Sequence, residues 1–303
     1  MSRRQATPWM SRAPAALAAA MLSAAPAVAA AASAQDLYYE RAVMVAADAR
    51  CGLFRPDVGA TLKLAEAQAR GAALRAGVTQ SDLGEVRVQA VARAAGAACA
   101  SRDLQTAAGR VRGAFSGYSR MIRMDFPGDV AGWSADRSVA SDAVAWKLSQ
   151  ASSVSGQPLR FGLVGRRGEA LRLLAVADFG PGPGPYAARI LARDPARAPE
   201  AYLGVMRIST SAKIPLSGRV PPRASSRAFM AEARSGADPS LGARTAVAFR
   251  FPAAASDALA GLDPREAVTI EFLFAGAGHD QVKTAYIEVG DFAAGRAFAQ
   301  IPR

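Results

Sequence analysis

The chain is poor in the residues that usually carry chemistry. One histidine, His279, and two cysteines, Cys51 and Cys99, stand among 303 residues. That count excludes zinc fingers, cysteine-ligated clusters and histidine-rich metal sites. Lysine is nearly as scarce: Lys63, Lys147, Lys213 and Lys283 are all there are, so arginine carries almost all the positive charge. Beyond the first 34 residues no stretch approaches the ~18 consecutive apolar residues of a membrane helix. There is no Gly-x-Ser-x-Gly nucleophile elbow. What is present is the composition of a folded protein, 51% apolar and 20% charged, which excludes wholesale disorder. The length allows one or two domains with a sizeable core.

The N-terminus reads as an export signal over residues 1–34. Arg3, Arg4 and Arg12 form a basic start, Ala13 to Ala32 an apolar run, and Ala32-Ser33-Ala34 a small-residue cleavage site. A membrane anchor is the alternative, but the run is Ala-dominated and broken by Pro26, so it would span poorly. The expected mature chain starts at Gln35, has 303 − 34 = 269 residues, and is soluble and periplasmic or secreted. Without the three signal arginines the net charge falls from +12 to +9. Guanidinium suits carboxylate and phosphate partners. An Ala-rich, Lys-poor composition accounts for the same charge without any function.

From Asp36 to about Tyr118 the apolar spacing is helical. Tyr38, Ala42, Val45 and Ala49 recur at three or four residues, as do Val58, Leu62, Ala65 and Ala69. Leu83, Val86, Ala90 and Ala94 repeat the pattern, and Leu104, Ala108, Val111 and Phe115 do so again. Thr79 to Asp82 reads as a capping box and Ser101 as an N-cap. Four short-linked helices predict an Ala-rich antiparallel bundle over 35–125. Its thin core would benefit from a staple. Cys51 and Cys99, both near predicted helix ends, supply one, since two cysteines in an exported chain pair. They are nothing like a Cys-x-x-Cys redox pair.

Residues 126–139 read as a junction, with a turn at Phe126-Pro127-Gly128 and Trp133 as a packing anchor. Asp125, Asp129 and Asp136 do not have the alternate spacing of a calcium loop. Beyond 140 the period becomes two. Leu159, Phe161 and Leu163 alternate with polar or small residues; so do Val247, Phe249 and Phe251, and Val268, Ile270, Phe272 and Phe274. Val144, Trp146 and Leu148, the run Leu171 to Ala177, Tyr202 to Ile208, and Ala285, Ile287 and Val289 are further strands. Tyr186 to Arg193 and Ser226 to Arg234 fit helix or strand equally. Asp291 to Gln300 fits a short helix capped by Asp291. The fold class expected is α+β: a helical bundle followed by an antiparallel β-sandwich or barrel-like domain over 140–303.

Few constellations suggest a site. Gly180 to Pro185 alternates Gly and Pro, and prolines remove the N–H donors a phosphate loop needs, so it reads as a stiff connection. Arg219, Arg223 and Arg227 are the candidate anion-binding residues, because prolines 221 and 222 should keep the segment exposed and extended. Arg189, Arg193 and Arg197 share their spacing. Glu266 with Glu271, or Asp238 with Asp263, would form a glycosidase-type pair only if brought together in three dimensions. The function expected is a non-catalytic envelope or secreted protein whose β domain binds or assembles. Its partner would be an anionic envelope polymer or another envelope protein, with no nucleic acid, no cofactor, no metal and no membrane span after signal cleavage. The alternative is an exported hydrolase with His279 and Asp280 at its site.

Overall fold

The computed structural model describes residues 25–138, 143–166, 168–203 and 214–302, with side chains from Ser33 onward. Residues 1–24 of the expected signal peptide and most of the strand expected from Tyr202 lie outside the described residues. Four helices come first: α1 (Ala25–Cys51), α2 (Pro56–Arg75), α3 (Gln80–Gly96) and α4 (Arg102–Phe115). Helix α1 runs without a break through the expected cleavage point at Ala34-Gln35. Ala34 packs there against a small core of Tyr38, Ala69, Leu74 and Leu83. The sequence signals at the helix starts are real. Thr79 and Asp82 form the reciprocal capping box of α3, and the Ser101 hydroxyl accepts the Leu104 N–H at the start of α4. Cys51 and Cys99 are bonded, with Cα atoms 5.6 Å apart, joining the end of α1 to the chain just before α4. Among the described residues no helix is long and apolar enough to cross a membrane.

Two antiparallel sheets follow. The larger has the order β1-β2-β3-β4-β5-β9-β8 and the smaller β11-β10-β6-β7. The larger is built from β1 (Arg123–Phe126), β2 (Trp133–Asp136), β3 (Ala145–Val154), β4 (Gln157–Gly165), β5 (Arg172–Ala177), β8 (Ala233–Gly236) and β9 (Val247–Phe251). The smaller is built from β6 (Ala187–Arg193), β7 (Ser226–Met230), β10 (Ala267–Phe274) and β11 (Gln281–Glu288). The sheets are not closed into a barrel. They enclose one apolar core, in which Phe161, Leu173 and Phe249 of the larger meet Ile190, Ile270 and Phe272 of the smaller. Helices α5 (Ala253–Gly261) and α6 (Phe292–Ala299) bury Leu259, Phe292 and Phe298 in that core, and α2 adds Leu64. Trp133 is fully buried; its Nε1 donates to the Val289 carbonyl at 3.0 Å and its ring meets Phe292 edge-on.

Several local readings change. The expected junction carries β2, which pairs with β1 at four positions and joins the larger sheet through Ser134 opposite Ser149 and Ala135 opposite Leu148. The two ambiguous segments are strands: β6 lies in the smaller sheet, and β7 and β8 take the chain from the smaller sheet to the larger. The Gly-Pro stretch 180–185 carries it the other way, from β5 to β6. Asp291 sits at the N-cap position of α6 but makes no capping bond, because its carboxylate is held by Arg75 at 2.8 Å.

The disulfide generates a first prediction. It closes a 48-residue loop, so replacing Cys51 and Cys99 together by Ser should lower unfolding free energy by about 4 kcal/mol. Denaturant unfolding followed by circular dichroism reads this directly, and an unchanged midpoint would show that the bond constrains nothing.

Candidate functional site

The three arginines expected to bind anions go to three separate places. Arg219, after the 3-10 turn Leu216–Gly218, is 1% exposed. Its Nη1 lies 3.1 Å from Asp129 Oδ2 and 3.8 Å from Glu288 Oε1, and its Nε donates to the Ile214 carbonyl. This corrects the expectation of an exposed segment. Pro222 is extended, with φ −55° and ψ 150°, but the Arg219 carbonyl accepts the Ala267 N–H at the start of β10, and two carboxylates draw the guanidinium inward. Arg223 stays on the surface and bonds to Glu271, which also takes the Arg189 Nε at 2.6 Å. Arg227, on β7, lies over the Phe229 ring.

The other candidates are also dispersed. Arg193 forms a buried two-bond pair with Glu266, at 2.7 and 3.0 Å, while Arg197 pairs with Asp194. Asp263 is bound by Arg265 and Asp238 by Ser240, while the Glu266 carboxylate, besides Arg193, accepts the Asp263 backbone N–H at 3.1 Å. Asp125 accepts the Ser134 hydroxyl, Asp129 meets Arg219 and Asp136 meets Arg123; they form no calcium loop. His279 and Asp280 are exposed on the turn between β10 and β11, where Asp280 accepts the Tyr186 hydroxyl. The bond to that carboxylate pushes the Tyr186 phenol up.

The strongest buried polar feature is centred on Glu288 at the end of β11. It is wholly buried and accepts the backbone N–H groups of Asp129, Val130 and Ala131 at 2.6 to 2.8 Å. The loop can close this far only because residue 128 is glycine. A Cβ there would stand 2.2 Å from the Ala131 carbonyl oxygen and 2.8 Å from Glu288 Oε2. Arg75 of α2 reaches the same region, bonding Asp291 and lying 4.0 Å from Asp129. These charges are spent on holding elements together.

A different place has the character of a binding site. Where the ends of β3, β4 and α6 meet, a cavity of about 450 Å³ is walled by Arg137, Lys147, Arg166, Glu169 and Gln300. A second, of about 620 Å³, shares Arg137 and Pro302 with it and adds Arg55, Arg120 and Asp57. Lys147 reaches the first cavity through a bulge. Trp146 pairs with Val164 and Leu148 with Leu163, which leaves Lys147 as the extra residue of β3. Glycine at 162 permits the bulge, since its φ is +153° and a Cβ would fall 2.0 Å from the Leu148 carbonyl oxygen. Arg137 is fixed by the carbonyls of Ser119, Met121 and Ile301 and by the face of Phe298. The Arg55 guanidinium and the Ser119 hydroxyl lower the Asp57 carboxyl to about 2. Among the described residues, five cations and two carboxylates thus line the adjoining cavities. Sequence reading missed this group. The available signal was a rare lysine set between Trp146 and Leu148 in an otherwise apolar strand.

No family model, no curated protein and no solved structure matches the chain.

Two predictions follow from the buried charges. Glu266→Gln leaves the Arg193 guanidinium buried with no counter-charge and should cost about 3–5 kcal/mol in a urea titration. Arg223→Ala, whose side chain is 69% exposed, should cost under about 1 kcal/mol. Equal losses would mean that burial does not set the worth of these pairs. Burial pushes the Asp291 carboxyl up, with Arg75 offsetting only part of the effect. A carboxyl raised in the folded state binds its proton more tightly folded than unfolded. Its contribution is therefore most favourable in acid and declines as pH rises through the raised value. The stability of Asp291→Asn relative to the native chain should improve between about pH 4 and pH 7. A difference that is flat or moves the other way contradicts the assignment.

Proposed function

We propose that this is an exported binding protein without catalytic activity, whose β-sheet half holds an anionic group of a larger envelope component. The observation that carries the reading is the cavity walled by Arg137, Lys147, Arg166 and Glu169 of the sheet half, adjoined by a second that Arg55, Asp57 and Arg120 of the helical half help to wall. Cations held over low-dielectric walls focus a positive field and favour carboxylate or phosphate. Arg137 supports recognition rather than chemistry. Its bonds to three carbonyls hold it still, and a guanidinium stays protonated at any working pH. Arg166 sits beside Glu169 on the β4–β5 turn, a weak exposed pair 3.7 Å long that an incoming anion can displace. The Cys51–Cys99 bond supports an oxidising compartment, periplasmic or extracellular. The exposed setting of His279, with Asp280 engaged by Tyr186, favours this reading over a hydrolase built around that pair.

The test is retention of the full chain on a carboxylate or phosphate matrix across a salt series. Lys147→Gln with Arg166→Gln should release at clearly lower salt than the native chain, because fewer fixed charges meet the matrix within the ~10 Å screening length at 0.1 M. Arg223→Ala with Arg227→Ala removes the same charge elsewhere and should shift release less. Equal shifts for the two double variants would show that net charge, not this site, governs retention.

A further inference from the structure

The helical half offers a second site of different chemistry. Helix α4 buries only Leu104 and Ala108, so the rest of its apolar stripe is left beside α1. Between the two helices lies a groove of about 450 Å³, with Val43 and Met44 on one wall, Val111, Ala114 and Phe115 on the other, and Leu62 of α2 beneath. That volume falls in the range of small-molecule sites. Its rim is cationic. Arg41, Arg93 and Arg110 line the groove, with Glu40 as the sole carboxylate among the lining residues. Arg41 is tied to the Ala65 carbonyl at 2.6 Å. Arg93 and Arg110 are exposed and carry no hydrogen bond or ion pair to any described residue.

We propose that this groove binds a single long acyl chain bearing a carboxylate head, the chain lying between α1 and α4 and the head meeting Arg93 and Arg110. An apolar trough with guanidiniums at its lip matches an anionic amphiphile in both parts. At about 450 Å³ the groove has the size of a small-molecule site and takes one slender chain. The chain's own N-terminal segment is a poor occupant, because Arg3, Arg4 and Arg12 would meet a rim of like charge.

Calorimetry on the full chain with octanoate, decanoate and dodecanoate below their micelle concentrations tests the site. Binding should tighten roughly fourfold per added methylene. Dodecyltrimethylammonium, with the same tail and the opposite charge, should bind at least tenfold more weakly. Arg93→Gln with Arg110→Gln should weaken dodecanoate by tenfold or more, and Val111→Asp should abolish it. Ala114→Phe, at an exposed position lining the groove, fills it without adding charge, so loss of binding there keeps the test decisive if Val111→Asp misfolds. Arg223→Ala, outside both concavities, should leave dodecanoate affinity unchanged, which separates this groove from a general effect of surface charge. Equal binding of the anionic and cationic amphiphiles, or full affinity in Ala114→Phe, overturns the proposal.

Discussion

One buried carboxylate sets the geometry on which the rest depends. Glu288 ends β11 in the smaller sheet, yet its three backbone donors come from the loop between β1 and β2 of the larger one. A carboxylate taken out of water is costly unless its lone pairs are filled and its charge offset; three amide N–H groups donate to it, and the Arg219 guanidinium 3.8 Å away supplies the counter-charge. The contact is directional in a way that apolar packing is not. Phe161 and Phe272 tolerate small shifts of one sheet over the other, whereas three N–H groups converging on one carboxylate do not. Side-chain bonds from the larger sheet reinforce the same position. Gln150 on β3 accepts the Glu288 N–H and donates to the Glu288 carbonyl, and the Ser152 hydroxyl donates to the Tyr286 carbonyl. Arg75 extends the network into α2 through Asp291, so the helical half is registered against the sheets by charge as well as by Leu64.

That frame also positions the basic cavities. Helix α6 follows β11 directly and is held by Phe298 against Phe126, so its end, Gln300 to Pro302, arrives beside Lys147 and Arg166. Arg137 completes the corner by bonding the Ile301 carbonyl on one side and the Ser119 and Met121 carbonyls on the other. Arg137 at the end of β2 and Lys147 in the bulge of β3 are buried and held in place, whereas Arg166 on the β4–β5 turn and Arg55 on the α1–α2 connection are exposed at the edges of the two cavities.

The strands of strict period two were legible in the sequence because one face of each is apolar and lines the core, Phe249 and Phe251 in β9 and Ile270 and Phe272 in β10, although the other face of β10, with Thr269 and Glu271, is buried as well. Caps were legible because they are local; Thr79 and Asp82 need nothing beyond their own turn. β1 and β2 were not, at four residues each with Pro127 and Gly128 between them; pairing with β3 makes them strands. Helix α5 is nine residues of mostly Ala behind Pro252, too short for its period to show. β6 is ambiguous because Ala187, Ala188 and Ala192 suit either state, and tertiary pairing with β10 decides. Among the candidate site residues the disulfide was readable from compartment logic alone. The burial of Arg219 was not, since it depends on Asp129, 90 residues earlier, and on Glu288 across the sheet.

The abundance of arginine then resolves into two uses. Thirteen arginines lie within 4.0 Å of a carboxylate among the described residues, and Arg193, Arg219 and Arg265 do so inside the protein. A planar five-donor fork can saturate carbonyls and carboxylates together, which an ammonium cannot match, so an Ala-rich core with little side-chain volume gains directional contacts from it. The charge of these thirteen arginines is therefore structural in its effect, whatever its origin in composition. Where cations outnumber carboxylates around a concavity, at the Arg137 corner and along the α1–α4 groove, the surplus has a location and a shape. Net charge alone predicts attraction to any anion. Two concavities of different polarity, one walled by fixed cations and one apolar with a cationic lip, predict selection between small anionic groups and anionic amphiphiles.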